Sequence, residues 1–268
     1  MADKRTLITG DEKTMRGIWL LTRTEINRLR RNRRYLIFTV GLPVILYLFF
    51  AKISNGKAYG IAFPGYYMVA MATFGAFAGA LNGNAIRISE ERKVGWIRQL
   101  RLTPLPASAY VIAKILTAMA TTIVSIVIVL LLGRFYGGVH LPVWQWLVVA
   151  VIIWLGSTIF AALAVAIGYR YPPDQAQPIT LMFYLVFATL GGVWFPLSGV
   201  LGNIGKGTPT YEAIKISSDV MGNASVPVYL IIGLFVWLAV FGALATLSVR
   251  SMAENVLSAV ICGRRDRW

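Results

Sequence analysis

The chain has 268 residues, 57% of them apolar and 14% charged, with a mean hydropathy of +0.67. That balance carries too little charge for a water-soluble globular enzyme. Its 26 Lys and Arg against 11 Asp and Glu give a net charge of +15, which would suggest nucleic acid in a polar chain but favours the bilayer in this one.

One cysteine, Cys262, excludes an intramolecular disulfide, and one histidine, His140, excludes a multi-histidine metal site, so no metal centre is expected. About thirty polar and basic residues precede the first long apolar run, and no short apolar region with a small-residue cleavage site follows. The N-terminus is expected to be retained.

Within residues 1–34, the segment Thr14 to Arg34 places Met15, Ile18, Trp19, Thr22, Ile26 and Leu29 on one helical stripe, with Arg16, Arg23, Arg28 and Arg30 on the other faces. An amphipathic interface helix is predicted, with Trp19 at the headgroups and the arginines on anionic lipid. A solvated basic helix is the alternative.

A spanning helix needs about 20 mostly apolar residues. Six stretches meet or approach that length: Tyr35 to Ala51, Gly60 to Gly83, Ala107 to Leu132, Val143 to Gly168, Pro178 to Leu201 and Val226 to Val249. The predicted fold is an all-α integral membrane protein, with a six-helix domain over residues 35–249 and a C-terminal tail over 250–268. Twenty basic residues fall on the side of the two termini, five fall in the opposite loops, and Lys114 lies within the third stretch. By the positive-inside rule both termini are cytoplasmic in a multi-pass plasma-membrane protein. Lys114 is expected to snorkel to the headgroups, a substrate contact being the alternative.

The second stretch carries Gly75, Gly79 and Gly83 at four-residue spacing, which lets helix backbones approach closely. Packing within the chain is the preferred reading, and an intersubunit seam the other. Phe74, Phe77, Phe183, Tyr184 and Phe187 are candidates to line a translocation path for an apolar or amphipathic cargo.

Residues of about 85–104 between the second and third stretches are dense in charge yet helix-like. Val94, Ile97 and Leu100 recur at three-residue spacing among Glu90, Glu91, Arg92, Arg98 and Arg101, and Pro104 and Pro106 end the pattern. Such a rod can fill a groove on a soluble partner, or it can be a solvated loop. Gly191, Gly192 and Pro196 are expected to break the fifth stretch, leaving irregular backbone that protein or water must cover.

No Asp, Glu or His lies at membrane depth, so proton or sodium coupling has no titratable partner there and energy is expected from another subunit. Nor does the chain carry a phosphate-binding loop, since around Gly205-Lys206 the first glycine is replaced by Val200 and the Ser or Thr by Gly207. His140 has no carboxylate or nucleophile near it in sequence, and Asp174 beside Arg170 reads as solvated or as a partner contact. No catalytic constellation is present in the sequence pattern.

The run Glu91-Arg92-Lys93-Val94-Gly95-Trp96-Ile97-Arg98-Gln99-Leu100-Arg101-Leu102-Thr103-Pro104 resembles the cytoplasmic signature E-R-x-x-G-T-x-x-x-L-x-x-T-P of ABC-2 type transporter permeases, with Trp96 in place of the usual Thr. Trp194-Phe195-Pro196-Leu197-Ser198 and Thr208-Pro209-Thr210-Tyr211 are similar to that family's F-F-P-L-S and N-P-x-T-Y elements, and the branch resembled is that of bacterial drug and antibiotic exporters. The resemblance implies a non-catalytic transmembrane subunit working with a second permease copy, membrane lipids and separate ATPase subunits that bind ATP and Mg. It also implies that Glu90, Glu91, Arg92, Val94, Gly95, Trp96, Ile97 and Leu100 form the ATPase-coupling helix. Residues of about 197–220 would then be short re-entrant helices, with Phe195, Pro196, Leu197, Pro209 and Tyr211 at an outer gate. A rival from another class is a non-transporting sensor or immunity protein that docks a cytoplasmic regulator through the same rod. A membrane-embedded enzyme ranks last, because the stretches lack clustered titratable groups.

Overall fold

A computed structural model describes residues 15, 17, 19–27, 33–52, 56–96, 99 and 107–262. Among these, the chain is helical apart from one two-stranded hairpin. Residues 19–27 form an N-terminal helical stretch. Helix α1 (Arg33–Phe50) follows, then the hairpin of β1 (Lys57–Ala58) and β2 (Ile61–Ala62). The remaining helices are α2 (Phe63–Lys93), α3 (Ala107–Phe135), α4 (Val143–Arg170), α5 (Pro173–Leu190), α6 (Gly199–Gly205), α7 (Pro209–Met221) and α8 (Val228–Cys262).

Among the described residues, four helices are long and apolar enough to cross a membrane: α2, α3, α4 and α8. The other two predicted crossings are shorter helices. The apolar part of α1 covers Thr39–Phe50, and α5 has 18 residues that open on the polar Asp174 and Gln175. Where the sequence pattern placed a fifth stretch from Pro178 to Leu201, α5 begins at Pro173 because Pro172 is extended and Pro173 sets the φ of the first turn. It ends at Leu190. Gly191 there presses on α7, where a Cβ would fall 2.4 Å from Thr210 Cβ, and Gly192 takes φ +76.

Helix α2 is the centre of the bundle, packed by α1, α3, α4, α5 and α7. Pro64 opens it, nothing breaks it before Gly95 at φ +77, and at 31 residues it extends about 46 Å. It is buried nearly all round, with small residues Gly75, Ala76, Gly79 and Ala80 along its middle. In lipid, helices associate through close van der Waals contact rather than through release of water, so small residues set how near they come. A Cβ on Gly75 would lie 2.2 Å from Ser125 Oγ of α3 and 2.8 Å from Pro43 Cγ of α1. Polar contacts supplement the packing of α3 on α4: Trp154 Nε1 donates to Met119 O at 2.9 Å, and Thr122 and Ser157 hydroxyls lie 3.4 Å apart.

Helix α8 leans on α4 and α7 and leaves much of its surface exposed, from Val228 through Phe235 to Leu247. Residues 85–93, predicted to begin a separate coupling helix, are instead the continuation of α2. The physical reason is that no glycine or proline separates Gly83 from Gly95, so the charged segment simply prolongs the apolar one.

Gly168 of α4 meets α2 so closely that a Cβ would fall 2.8 Å from Ala85 O and 2.7 Å from Ile88 Cβ, whereas nothing lies within 4 Å of a Cβ on Gly242 of α8. We expect Gly168→Ala to lower stability by about 1–3 kcal/mol and Gly242→Ala to leave it unchanged, read from thermal unfolding in one detergent.

Candidate functional site

The end of the bundle that carries Arg87, Arg92 and Arg170 is organised by one buried cation. Lys114 lies one to two turns into α3 and its side chain is 2% exposed. Its Nζ donates to Glu91 Oε1 of α2 at 2.7 Å and sits 3.0 Å from Glu25 Oε1 of the N-terminal helix. Tyr110, one turn earlier on α3, donates its hydroxyl to the second Glu91 oxygen at 2.5 Å, and Arg87 Nη1 stands 3.7 Å from Glu25. Two carboxylates thus face two bases. A buried ion of either sign is costly alone, and pairing with the opposite charge offsets that cost.

This overturns the expectation that Lys114 snorkels to the headgroups. An ammonium that finds two carboxylates 3.0 Å away or less has no reason to leave the protein. The same cluster draws three segments together: residues 19–27, the end of α2 and the start of α3. Nearby, Ser89 Oγ donates to Tyr171 O at 3.0 Å, and Arg92 donates to Tyr169 O, which fastens α2 to the end of α4.

Beyond Glu91 the character changes. Glu90, Lys93, Val94 and Trp96 are exposed, Val94 by 74% and Trp96 by 43%, and Gly95 between them has open space around it. Of the predicted coupling residues, Glu91 and Arg92 therefore face the protein, while Glu90, Val94 and Trp96 face away. Ile97 and Leu100 lie outside the described residues. The N-terminal helix is likewise two-faced: Glu25 and Ile26 are half-buried toward the bundle, and Met15, Trp19 and Leu20 are exposed, with Arg23 5.2 Å above the Trp19 ring. Ile18 and Leu29 of the predicted stripe are outside the described residues.

In the bundle interior the predicted path residues are packed together. Phe77 stacks on Phe160 at 4.4 Å, Phe160 meets Phe187 edge-on at 5.6 Å, and Phe187 continues to Phe183, Trp237 and Phe241. Phe74 lies between Tyr184 at 4.8 Å and Trp194 at 5.0 Å. Gly79 is buried and Gly83 half-buried on α2.

The opposite end is closed by α6, α7 and the hairpin. Tyr67 of α2 donates to Trp194 O at 3.1 Å, and Tyr66 donates to Gly192 O, so the turn after α5 hangs from α2. Tyr59 and Gly60 both have positive φ, +51 and +84, the two-residue turn that suits strand twist. That turn sets the Tyr59 ring 5.5 Å from Tyr66 and 5.8 Å from Tyr211. Thr208 caps α7 by accepting from Tyr211 N at 3.3 Å. Gln145 of α4 donates to Val220 O and Asn223 Oδ1, at 2.8 and 2.9 Å, and pins the far end of α7. Among the predicted gate residues, Pro209 and Tyr211 are buried in this layer. Phe195 is 61% exposed and touches Phe50 edge-on at 6.2 Å, and Pro196 and Leu197 are half-buried.

The family model for ABC-2 type transporters matches residues 16–204, well over half of the chain. The chain belongs to that family. It is also similar to a Bacillus subtilis (strain 168) protein, YvfS, provisionally named a transport permease, with 27% identity over 192 residues that cover 70% of this chain and 78% of the relative. As an ABC-2 permease the chain is a multi-pass membrane protein, and the match takes in the N-terminal helix, the Lys114 cluster and the exposed segment after it.

Sequence reasoning missed the partners of this cluster. Glu25 is the only acid between Glu12 and Glu90, so a lysine at membrane depth had few counter-ions to choose from. Replacing Lys114 by Met leaves the buried Glu91 without a cation and takes the nearer of two cations from the half-buried Glu25, and we expect a loss of about 3–5 kcal/mol in thermal unfolding. Adding Glu91→Gln to Lys114→Met is expected to recover part of that loss; a strictly additive double variant would contradict the pairing.

Proposed function

We propose that the chain is the transmembrane subunit of an ATP-binding cassette exporter that moves an amphipathic substrate (a drug or antibiotic, a lipid or a glycan) outward across the plasma membrane. In this reading α1 and α5 complete six crossings, and the basic end with both termini faces the cytoplasm, as the distribution of Lys and Arg favours. A second permease copy completes the pathway, and separate ATPase subunits bind ATP and Mg.

One observation carries the reading. The exposed Val94–Trp96 edge follows directly on Glu91, and Glu91 is paired to Lys114 inside a membrane-crossing helix. A displacement of that edge by a soluble partner is passed to α3 by a charge-assisted bond of 2.7 Å and to the N-terminal helix by a second of 3.0 Å. The bare edge supplies two apolar side chains for a groove in the ATPase, and Trp96 makes that groove wider than one built for the family's usual Thr. Because a ligand shifts an equilibrium only by binding its states unequally, the ATPase must grip this edge differently before and after hydrolysis.

Val94→Asp and Trp96→Asp, made in the full chain and co-expressed with the ATPase, are expected to reduce transport about tenfold or more or to release the ATPase, with folding and yield as in the wild type. Ile97→Asp and Leu100→Asp are expected to act in the same direction. Unchanged transport and ATPase co-purification in all four would overturn the assignment of this edge.

A further inference from the structure

Among the described residues the acids of the basic end are paired or exposed, but the closing layer at the opposite end holds one that is neither. Glu212 stands in the first turn of α7 and is 5% exposed. Its Oε2 has no hydrogen-bond partner, and its Oε1 lies against α8, where a Cβ on Gly233 would fall 1.9 Å away. The missing side chain at Gly233 is the space that the carboxyl occupies.

The surroundings offer no counter-charge. On α7 itself, Lys215 and Asp219 are committed to each other as an i,i+4 pair. Of the elements packed on α7, Val228 to Val249 of α8, Val143 to Tyr169 of α4 and Phe63 to Ile86 of α2 contain no Asp, Glu, Lys, Arg or His, and the acid of α5, Asp174, is at its far end. Lys57 on the hairpin and His140 before α4 are exposed. The remaining titratable neighbours are phenols: burial pushes Tyr59 up to about 12 and raises Tyr211 as well. Tyr229 is exposed at the start of α8. Among the described residues no base faces this carboxyl, and its Oε2 has no donor to hold a charge.

We propose that Glu212 is a proton-binding site of the closing layer, and that loss of its proton releases α7 from α8. Neutral, the carboxyl fits the Gly233 notch; ionised, it is better solvated outside that notch, and leaving it means moving α7 away from α8. Burial raises its pKa from the usual 4.5 to about 7. The sign follows from which state holds the proton more tightly. The packed state does, so packing is complete below the ordinary carboxyl value. It weakens by up to about tenfold in the packed-to-released ratio per pH unit between that value and about 7, and it changes no further above. The inference goes beyond the transport reading and does not depend on it, since the titration needs neither ATP nor cargo.

The test uses the full chain in nanodiscs of neutral phospholipid. Hydrogen–deuterium exchange of the α7 segment, corrected for the intrinsic pH dependence of exchange, is followed from about pH 5 to about pH 8 in the wild type, Glu212→Gln and Asp219→Asn. Wild-type protection is expected to fall about tenfold or more toward pH 7 and then level off, Asp219→Asn to follow it, and Glu212→Gln to stay protected throughout. A flat wild-type profile, or the same fall in Glu212→Gln, overturns the proposal. Should Glu212→Gln not fold, the protonated-carboxyl infrared band of the wild type decides: a midpoint above about pH 6 upholds the site and a lower one removes it.

Discussion

An ammonium group inside a helical bundle imposes obligations on everything around it. Lys114 satisfies them by drawing in Glu91 and Glu25; Arg87 adds a second cation beside Glu25, and Tyr110 gives Glu91 a hydrogen bond. None of these residues is close to Lys114 in sequence except Tyr110. The pairing therefore decides tertiary structure at this end: it fixes the rotation of α2 about its axis, docks the N-terminal helix through Glu25 and leaves Trp19 and Leu20 turned outward. Pairing of this kind contributes less to net stability than its geometry suggests, because desolvation offsets most of the attraction. What it supplies is a unique arrangement.

The opposite end is built on a different principle. Among the described residues there is no ion-pair network to hold the layers here, and order comes from aromatic packing and from α2 phenols that reach the carbonyls of the turn after α5. The contrast matters for the transport cycle proposed above. The basic end is fastened by strong, directional contacts between crossing helices, while the closing layer is made of short helices and rings that can separate without breaking a charge pair, apart from the local Lys215–Asp219 bond.

Much of this was legible in the amino-acid sequence. Apolar length alone located α2, α3, α4 and α8, because a helix that crosses lipid must be long and nearly free of charge, and of the spaced glycines Gly75 lies where α1 and α3 come close to α2. The motif around Glu91 was equally readable as a family signature. What periodicity could not supply was direction. Glu90 and Glu91 are neighbours with the same chemistry, yet one faces solvent and the other a buried lysine, a difference set by the rotation of a helix that only packing determines. Lys114 was misplaced for a related reason, since its counter-ions come from segments far away in the chain. Glu212 was overlooked because a lone carboxyl in a polar-looking run of Thr, Tyr, Lys and Ser gives no hint that Gly233 has made room for it.

The uninterrupted length of α2 links the two ends. Its last turns hold Glu91, Ser89 and Arg92 in bonds to α3 and α4, and its first turn holds Tyr66 and Tyr67 in bonds to the turn after α5. One helix runs unbroken between these anchor points, from Pro64 near its start to the turn at Gly95 beyond its end. The two anchorages therefore share one rigid element, and the hydrogen bonds at each tolerate only a fraction of an ångström of axial slip before they part.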